Sequence, residues 1–262
     1  MKVSVLQMGL CLGDFSANLD TLHRLAEEAM KERPDALLLP ELWNLGFYPK
    51  PIGTHAKNTE EKSLSVLSEL AANCQVNLVG GSIASYGKEG VRNTCPVFDR
   101  RGNLLASYDK VHLFSPMGEQ KDFLPGNHLA IFSLDGVSCA VVICYDIRFP
   151  EFIRRLALEG ISILFLPAEW PVERLIHWRT LLRARAIENQ IFLVAANGAG
   201  KFPKGMHLGG HSLIIDPWGE ILAEAGEEET ILHAALQPAI RQKIKETIDV
   251  FADRRPEIDF IR

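Results

Sequence analysis

The segment VSCAVVICYDIRFPE, residues 137–151, decides how the rest of the chain is ordered. Its apolar part, Val137 to Ile143, predicts a buried β-strand, and Pro150 with Glu151 suits the first turn of an α-helix. Cys144 lies at the junction between the two elements. Because the sites of α/β proteins form where buried strands end, the segment predicts an α/β fold with Cys144 at a site.

Strands and helices alternate on both sides of this segment. The first half predicts strand, helix, strand, helix and strand over residues 3–8, 16–30, 35–39, 60–73 and 76–84. The second half predicts the same order over residues 137–143, 150–160, 161–166, 176–189 and 191–196. Ser16 is the predicted N-cap of the first helix, and hairpin-like strands follow each half.

The two halves are similar in plan, and no Ser-, Gly- or Pro-rich linker divides them. We therefore predict one α/β domain over residues 1–262, made of two mixed sheets packed face to face with helices outside and with internal pseudo-symmetry. A single doubly wound sheet is the alternative. The charged segment of about residues 238–262 is expected on the surface or against a partner subunit.

Composition excludes several classes of protein. The chain has 28 Lys and Arg against 33 Asp and Glu, a net charge of −5, and it has no basic block that would follow a phosphate backbone. We therefore expect no nucleic-acid partner. Its five cysteines form no CxxC pair, no signal peptide precedes them, and no apolar run approaches the ~20 residues that span a bilayer. These features predict a cytoplasmic protein with free thiols and no membrane partner.

Three polar side chains follow strand-like segments, and each has an ordinary structural explanation when taken alone. Glu41 could be a loop carboxylate, Lys110 a surface ammonium paired with Asp109, and Cys144 a small buried side chain. In the functional explanation, Glu41 is a general base, Lys110 is a cation that stabilises negative charge on oxygen, and Cys144 is a nucleophile. A strand-to-helix elbow can also expose the sulfur of Cys144 and lower its thiol pKa.

Other catalytic motifs are weaker or missing. The sequence has no GxSxG, HExxH, P-loop or GxGxxG pattern. His207 and His211 are four residues apart, but Gly209 and Gly210 lie between them and argue against a helical metal site.

Five strings of sequence occur together in one order along almost the whole chain. They are LPE (39–41), DKVHLF (109–114), CYDIRFPE (144–151), RARAIENQ (183–190), and GHS with DPWG (210–212 and 216–219). In this combination the chain resembles the nitrilase superfamily of carbon–nitrogen hydrolases.

The resemblance implies a four-layer α-β-β-α sandwich that forms homodimers and uses neither a metal nor an organic cofactor. It implies that Cys144 attacks the amide carbon and that Glu41 takes the thiol proton and later activates water. Lys110 and the backbone N–H of Tyr145 would hold the oxyanion. Glu119 matches a supporting glutamate that helps to position the substrate and Lys110.

The strings PAEWP (167–171) and HW (177–178) resemble the ω-amidase branch of that superfamily. Its members hydrolyse the terminal amide of a small 2-oxo dicarboxylic acid monoamide such as 2-oxoglutaramate. The free carboxylate of such a substrate needs a cation, and the candidates are Arg148, Arg174 and Arg179. Arg148 could instead pair with Asp146 or Glu151. The candidates that shape the pocket are Tyr48, Tyr145 and Trp170.

Three other functions are weighed against this one. Hydrolysis of an N-carbamoyl amide is the first, and it would release carbon dioxide with ammonia. Nitrile hydrolysis is disfavoured because Cys144 is followed by Tyr-Asp, whereas nitrilases proper tend to have Trp-Glu there. A non-catalytic binding protein on the same fold would have no reason to keep Glu41, Lys110 and Cys144 together.

Overall fold

The computed structural model describes residues 1–47, 49–202 and 205–259. Its α-helices are α1 Phe15–Met30, α2 Ile52–Cys74, α3 Pro150–Leu158, α4 Leu175–Asn189, α5 Ala239–Thr247 and α6 Pro256–Asp259. Its first strands are β1 Lys2–Gln7, β2 Ala36–Leu38, β3 Asn77–Val79, β4 Ile83–Tyr86, β5 Val91–Phe98, β6 Leu104–Asp109 and β7 Ala130–Leu134. The others are β8 Val137–Val141, β9 Ile163–Ala168, β10 Phe192–Asn197, β11 Ala199–Lys201, β12 His207–Gly209, β13 Leu213–Ile215, β14 Ile221–Glu224 and β15 Thr230–Ala235.

The strands form two large mixed sheets. The first has the order β15-β1-β2-β3-β5-β4, with β6 also paired to β5, and the second has the order β14-β13-β10-β9-β8-β7. Three neighbouring strands are parallel in each sheet, β1-β2-β3 in the first and β8-β9-β10 in the second, and antiparallel strands flank them. The predicted pseudo-symmetry is therefore confirmed, and the alternative of a single doubly wound sheet is wrong.

Alternating side chains of β2 show how the layers stack. Leu38 packs in the apolar core between the two sheets, together with residues of β8, β9 and β10. Leu37 and Leu39 point to the other face and pack with Leu22 of α1 and Leu67 of α2. Since successive side chains of a strand point to opposite faces, one short apolar strand serves both cores. The layers are helix, sheet, sheet and helix, as the resemblance implied.

The boundaries of three elements differ from the sequence predictions. Asp14 rather than Ser16 caps α1, because Asp14 is the residue before the first helical turn and its side chain accepts the Ala17 N–H at 3.0 Å. Helix α2 begins at Ile52 rather than near residue 60, and buried Ile52 and Ala56 extend its apolar face. The predicted strand over 76–84 is two strands, β3 and β4, separated by a turn at residues 80–82.

The segment after residue 238 includes α5, which packs on the chain itself. Ile244 is buried, and the Arg241 guanidinium donates from Nε to the Gln190 carbonyl at 3.0 Å. No helix in the described part of the chain is both long and apolar enough to cross a membrane.

The turn between β3 and β4 gives the first testable prediction. Gly81 has φ +65°, and a Cβ there would lie 2.1 Å from the carbonyl oxygen of Pro40, directly before Glu41. We expect Gly81→Ala to destabilise the fold by more than about 2 kcal/mol, because left-handed strain and a backbone clash add. Urea unfolding measures this loss.

Gly160→Ala is the matched control. Gly160 also has a positive φ of +84°, but nothing lies within 4 Å of its added Cβ. The free energy of unfolding of Gly160→Ala should fall by only about 1 kcal/mol, which is the cost of the backbone strain alone. Equal losses for the two variants would contradict the clash at Pro40.

Candidate active site

Glu41 lies three residues after β2, beyond the carboxyl end of that strand, and it is only 4% exposed. Its Oε1 accepts hydrogen bonds from Lys110 Nζ at 2.8 Å and from Asn93 Nδ2 at 2.8 Å. Its Oε2 accepts the backbone N–H of Glu169 at 3.0 Å. Three donors from different segments therefore hold this carboxylate in one orientation.

Lys110 follows β6 and is also buried, so the alternative of a surface lysine paired with Asp109 is wrong. Its Nζ donates to Glu41 and to both oxygens of Glu119, at 3.0 and 2.9 Å. Burial by itself would lower the Lys110 pKa. The carboxylates of Glu41 and Glu119 outweigh that effect and hold the Lys110 pKa well above its usual range. The side chain is therefore a permanent cation at this site.

Cys144 lies three residues after Val141, where β8 and its parallel pairing with β9 end, and it has φ +46°. A short 3₁₀ segment, Cys144–Arg148, leads from it into α3. Buried Asp146 braces this elbow, because it accepts the N–H of Ile143 at 2.9 Å, the N–H of His112 at 2.9 Å and the Tyr108 hydroxyl at 2.8 Å.

The thiol of Cys144 is neutral. Burial raises its pKa well above the usual range, and the Glu41 carboxylate raises it further, against smaller opposing effects of Lys110 and of the Glu169 N–H. The prediction that the elbow lowers the thiol pKa is therefore wrong. A neutral thiol needs a base before it can attack, and Glu41 is the carboxylate that acts on it electrostatically.

These side chains share one cavity of about 280 Å³. Glu41, Lys110, Glu119 and Cys144 all line it, as predicted. Its other described lining residues are Leu42, Phe47, Phe114, Met117, Tyr145, Arg148, Glu169, Trp170, Pro171, Glu173, Arg174, Gly205 and Met206. The cavity thus joins reactive groups to an apolar and cationic wall.

Two predicted cation candidates line the cavity, and one does not. The Arg148 guanidinium lies 4.6 Å from the Trp170 ring centre, and that of Arg174 lies 5.3 Å from the Phe114 ring centre. Among the described residues neither forms an ion pair, so the suggested pairing of Arg148 with Asp146 or Glu151 is wrong. Arg179 instead pairs with Glu224 outside the cavity.

The predicted pocket residues Tyr145 and Trp170 line the cavity, whereas Tyr48 lies outside the described residues. The backbone N–H of Trp170 donates to Asn197 Oδ1 at 2.6 Å, and Asn197 Nδ2 donates to the Trp170 carbonyl at 3.0 Å. Asn197 therefore fixes Trp170 instead of facing a substrate.

Sequence reasoning did not single out Glu169 or Asn93. Glu169 follows the buried strand β9, so the rule that selected Glu41 would have selected it too. Asn93 lies inside β5, where no sequence signal distinguishes it, yet its amide bonds both Glu41 and Glu119. Across the described ranges no cluster of three His, Cys, Asp or Glu side chains is arranged to hold a metal ion.

Comparisons with known proteins agree with this geometry. The carbon–nitrogen hydrolase family matches residues 2–246. The chain is 40% identical to the 2-oxoglutaramate amidase of Bacillus subtilis over 256 residues, and this alignment covers 98% of each chain. It superposes with a TM-score of 0.88 on a Saccharomyces cerevisiae member of branch 10 of the nitrilase superfamily, at 30% identity over 97% of this chain and 96% of that one.

A third relative is the amidase of Nesterenkonia sp. AN1. A mutant of it with the acetamide moiety of fluoroacetamide covalently added at the active-site cysteine superposes with a TM-score of 0.88, at 30% identity over 99% of this chain and 95% of that one.

The buried charges give the second prediction. Lys110→Met leaves Glu41 and Glu119 buried without their cation and should cost about 3–5 kcal/mol in the free energy of unfolding. The loss should be largest where both stranded carboxylates are charged, because each is then a buried charge without a partner cation.

Lys2→Met is the control, since it removes an exposed ion pair with Glu32 and should cost at most about 1 kcal/mol. Chemical denaturation at several pH values measures both variants. A Lys110→Met loss no larger than the control's would contradict the account of the buried pair.

Proposed function

The chain belongs to the carbon–nitrogen hydrolase family and hydrolyses amides, and we propose that its substrate is a small 2-oxo dicarboxylic acid monoamide, 2-oxoglutaramate. The products are the 2-oxo dicarboxylic acid and ammonia. The observation that carries this proposal is the pair of arginines, Arg148 and Arg174, in the same cavity as Cys144 and Glu41. The similarity to a 2-oxoglutaramate amidase supports it.

The first half of the proposed reaction forms a thioester. Glu41 takes the proton of the neutral Cys144 thiol while the sulfur attacks the amide carbon. The amide oxygen becomes an oxyanion held by the Lys110 ammonium and the backbone N–H of Tyr145. Glu41 returns the proton to the amide nitrogen, the carbon–nitrogen bond breaks, and ammonia leaves.

The second half releases the acid. Glu41 takes a proton from a water molecule, the water oxygen attacks the thioester carbon, and the same two donors stabilise the second oxyanion. The carbon–sulfur bond then breaks, and the sulfur recovers its proton from Glu41. Glu119 does not touch the reacting atoms in this scheme and positions Lys110 through two hydrogen bonds.

Covalent catalysis suits this substrate because an amide is a poor electrophile and the thioester divides one hard step into two. Each oxyanion donor of this kind is typically worth about 2.7–4 kcal/mol of transition-state stabilisation. Lys110 can supply that without reorganisation, because Glu41 and Glu119 already hold its Nζ in place.

The arginines account for the free carboxylate of the substrate. A planar guanidinium binds a carboxylate through two parallel hydrogen bonds, and its weak hydration suits a partly buried site. Arg148 stacks on Trp170, which presents the guanidinium as a flat surface. Its Nη2 lies 3.3 Å from His177 Nδ1, so the substrate carboxylate would bind at the remaining edge. A cavity of about 280 Å³ fits a substrate of this small size.

We also infer a homodimer in a reducing, cytoplasmic environment, with residues 1–262 acting as one catalytic domain. Exposed apolar side chains of α4 and of the β13–β14 hairpin, Ile176, Ile187, Trp218 and Ile221, support association with a second copy. The five unpaired cysteines support a reducing compartment.

The third prediction tests the nucleophile and the base. Cys144→Ala should abolish ammonia release from 2-oxoglutaramate, and Glu41→Gln should lower kcat/KM at least about 100-fold, because the thiol then loses its base. Cys139→Ala, a change at a buried cysteine five residues earlier in sequence, should stay near wild type.

Ammonia and carbon dioxide are both measured, with succinamate, glutamine and an N-carbamoyl amino acid beside 2-oxoglutaramate. Carbon dioxide release from the carbamoyl compound, with no turnover of 2-oxoglutaramate, would refute the proposal that 2-oxoglutaramate is the substrate. The assignment of Cys144 as the nucleophile would stand.

The fourth prediction tests the carboxylate subsite. Arg148→Leu and Arg174→Leu should each raise KM for 2-oxoglutaramate about 10–100-fold, since each removes a charge-assisted contact. Butyramide, which has no carboxylate, should be hydrolysed as before. Arg179→Leu is the control outside the cavity. If the two variants lose as much activity on butyramide as on 2-oxoglutaramate, the arginines have a structural role and do not bind the carboxylate.

A further inference from the structure

Glu169 is a carboxyl group in the cavity wall that the proposed mechanism does not use. It follows β9, it is only 6% exposed, and it lines the cavity beside Cys144. Its backbone N–H donates to Glu41 Oε2 at 3.0 Å, so it lies against the catalytic base. The hydrogen bond to Glu41 therefore fixes the backbone of Glu169 at the site.

The side chain of Glu169 is only half satisfied. Oε1 accepts the backbone N–H of Phe47. Oε2 is buried and has no hydrogen-bond partner among the described residues. Buried polar atoms of native proteins usually have partners, and an orphan in a cavity wall points to a group that a ligand supplies.

The charges around Glu169 favour its neutral form. Burial raises its pKa well above the usual range, and the Glu41 carboxylate raises it further. Glu169 forms no ion pair with any described residue, and the nearby Lys110 is already shared by Glu41 and Glu119. The charged and titratable groups around it and across the cavity are Glu41, Lys110, Glu119, Cys144, Arg148, Glu173 and Arg174.

In the neutral form of Glu169, the hydrogen-bond pattern favours a proton on Oε2, the atom without a partner. Oε1 accepts an N–H and therefore keeps its lone pair for that bond. The hydroxyl is then at Oε2, where it is a buried donor with no acceptor in the described part of the protein. A substrate with an acceptor oxygen at this place would give the Oε2 hydroxyl its missing hydrogen-bond partner.

We propose that Glu169 is a specificity-determining residue that acts as a neutral acid and donates Oε2–H to the 2-oxo oxygen of the substrate. The proposal rests on the proposed function. Of the acceptors on such a monoamide, the amide oxygen is assigned to Lys110 and Tyr145, and the carboxylate to Arg148 and Arg174. The 2-oxo oxygen is the acceptor that remains, and Glu169 Oε2 is a buried atom in the cavity wall that has no partner among the described residues.

The pH dependence follows from the same arrangement. Below the raised pKa of Glu169 the acid donates and carries no charge. As the pH rises through that pKa, the donor is lost and a negative charge faces an anionic substrate. KM for 2-oxoglutaramate should therefore rise as the pH rises through the pKa of Glu169.

The test compares 2-oxoglutaramate with glutaramate, a monoamide of the same length without the 2-oxo group. Glu169→Leu should lower the preference for the oxo substrate, the ratio of kcat/KM for 2-oxoglutaramate to that for glutaramate, about 10–100-fold, mainly through KM for 2-oxoglutaramate. Glu169→Gln keeps an uncharged donor and an acceptor for Phe47. It should keep most of the preference and lose the rise in KM with pH.

Each result decides the proposal. If Glu169→Leu keeps the wild-type preference, or if Glu169→Gln is as damaged as Glu169→Leu, Glu169 is not a neutral donor to the substrate. If Glu169→Leu does not fold, the pH profile of Glu169→Gln decides, and an unchanged rise in KM with pH overturns the proposal. If the wild type releases no ammonia from 2-oxoglutaramate, the proposed function fails first and this inference fails with it.

Discussion

One buried ammonium shared by two buried carboxylates is the interaction on which this site depends. Lys110, Glu41 and Glu119 come from three separate segments, and each would be costly to bury alone. Together they satisfy one another, and Asn93 adds a donor to both carboxylates. In the proposed mechanism the base and the oxyanion cation are therefore held in place before any substrate enters, which is how electrostatic preorganisation lowers a barrier.

The two pseudo-symmetric sheets explain why these groups meet. Glu41 and Lys110 follow strands of the first sheet, and Cys144 and Glu169 follow strands of the second. Face-to-face packing brings those strand ends to one cavity, where Glu169 joins the halves by its N–H to Glu41. The proposed chemistry thus divides between the sheets, with the base and the cation on one and the nucleophile on the other.

Much of this could be predicted from the sequence because the informative residues directly follow short apolar segments. The two sheets, and the meeting of Glu41, Lys110 and Cys144 in one cavity, follow that pattern, whereas Glu119 was expected there from the family resemblance. Details that depend on three-dimensional surroundings could not be predicted. The elbow at Cys144 suggested a lowered thiol pKa, but burial beside Glu41 reverses the direction. Asn93 lies within a strand, and only the folded chain shows what it bonds.

The central claim is that hydrolysis passes through a thioester on Cys144, and partitioning with hydroxylamine tests it most directly. Glutaramate, which has no ketone to react with hydroxylamine, and its N-methyl amide would be hydrolysed with hydroxylamine present, and the ratio of hydroxamate to free acid would be measured for each. A shared acyl-enzyme gives the same ratio for both, because the amine has already left when water and hydroxylamine compete. A ratio that depends on the departing amine would contradict the account.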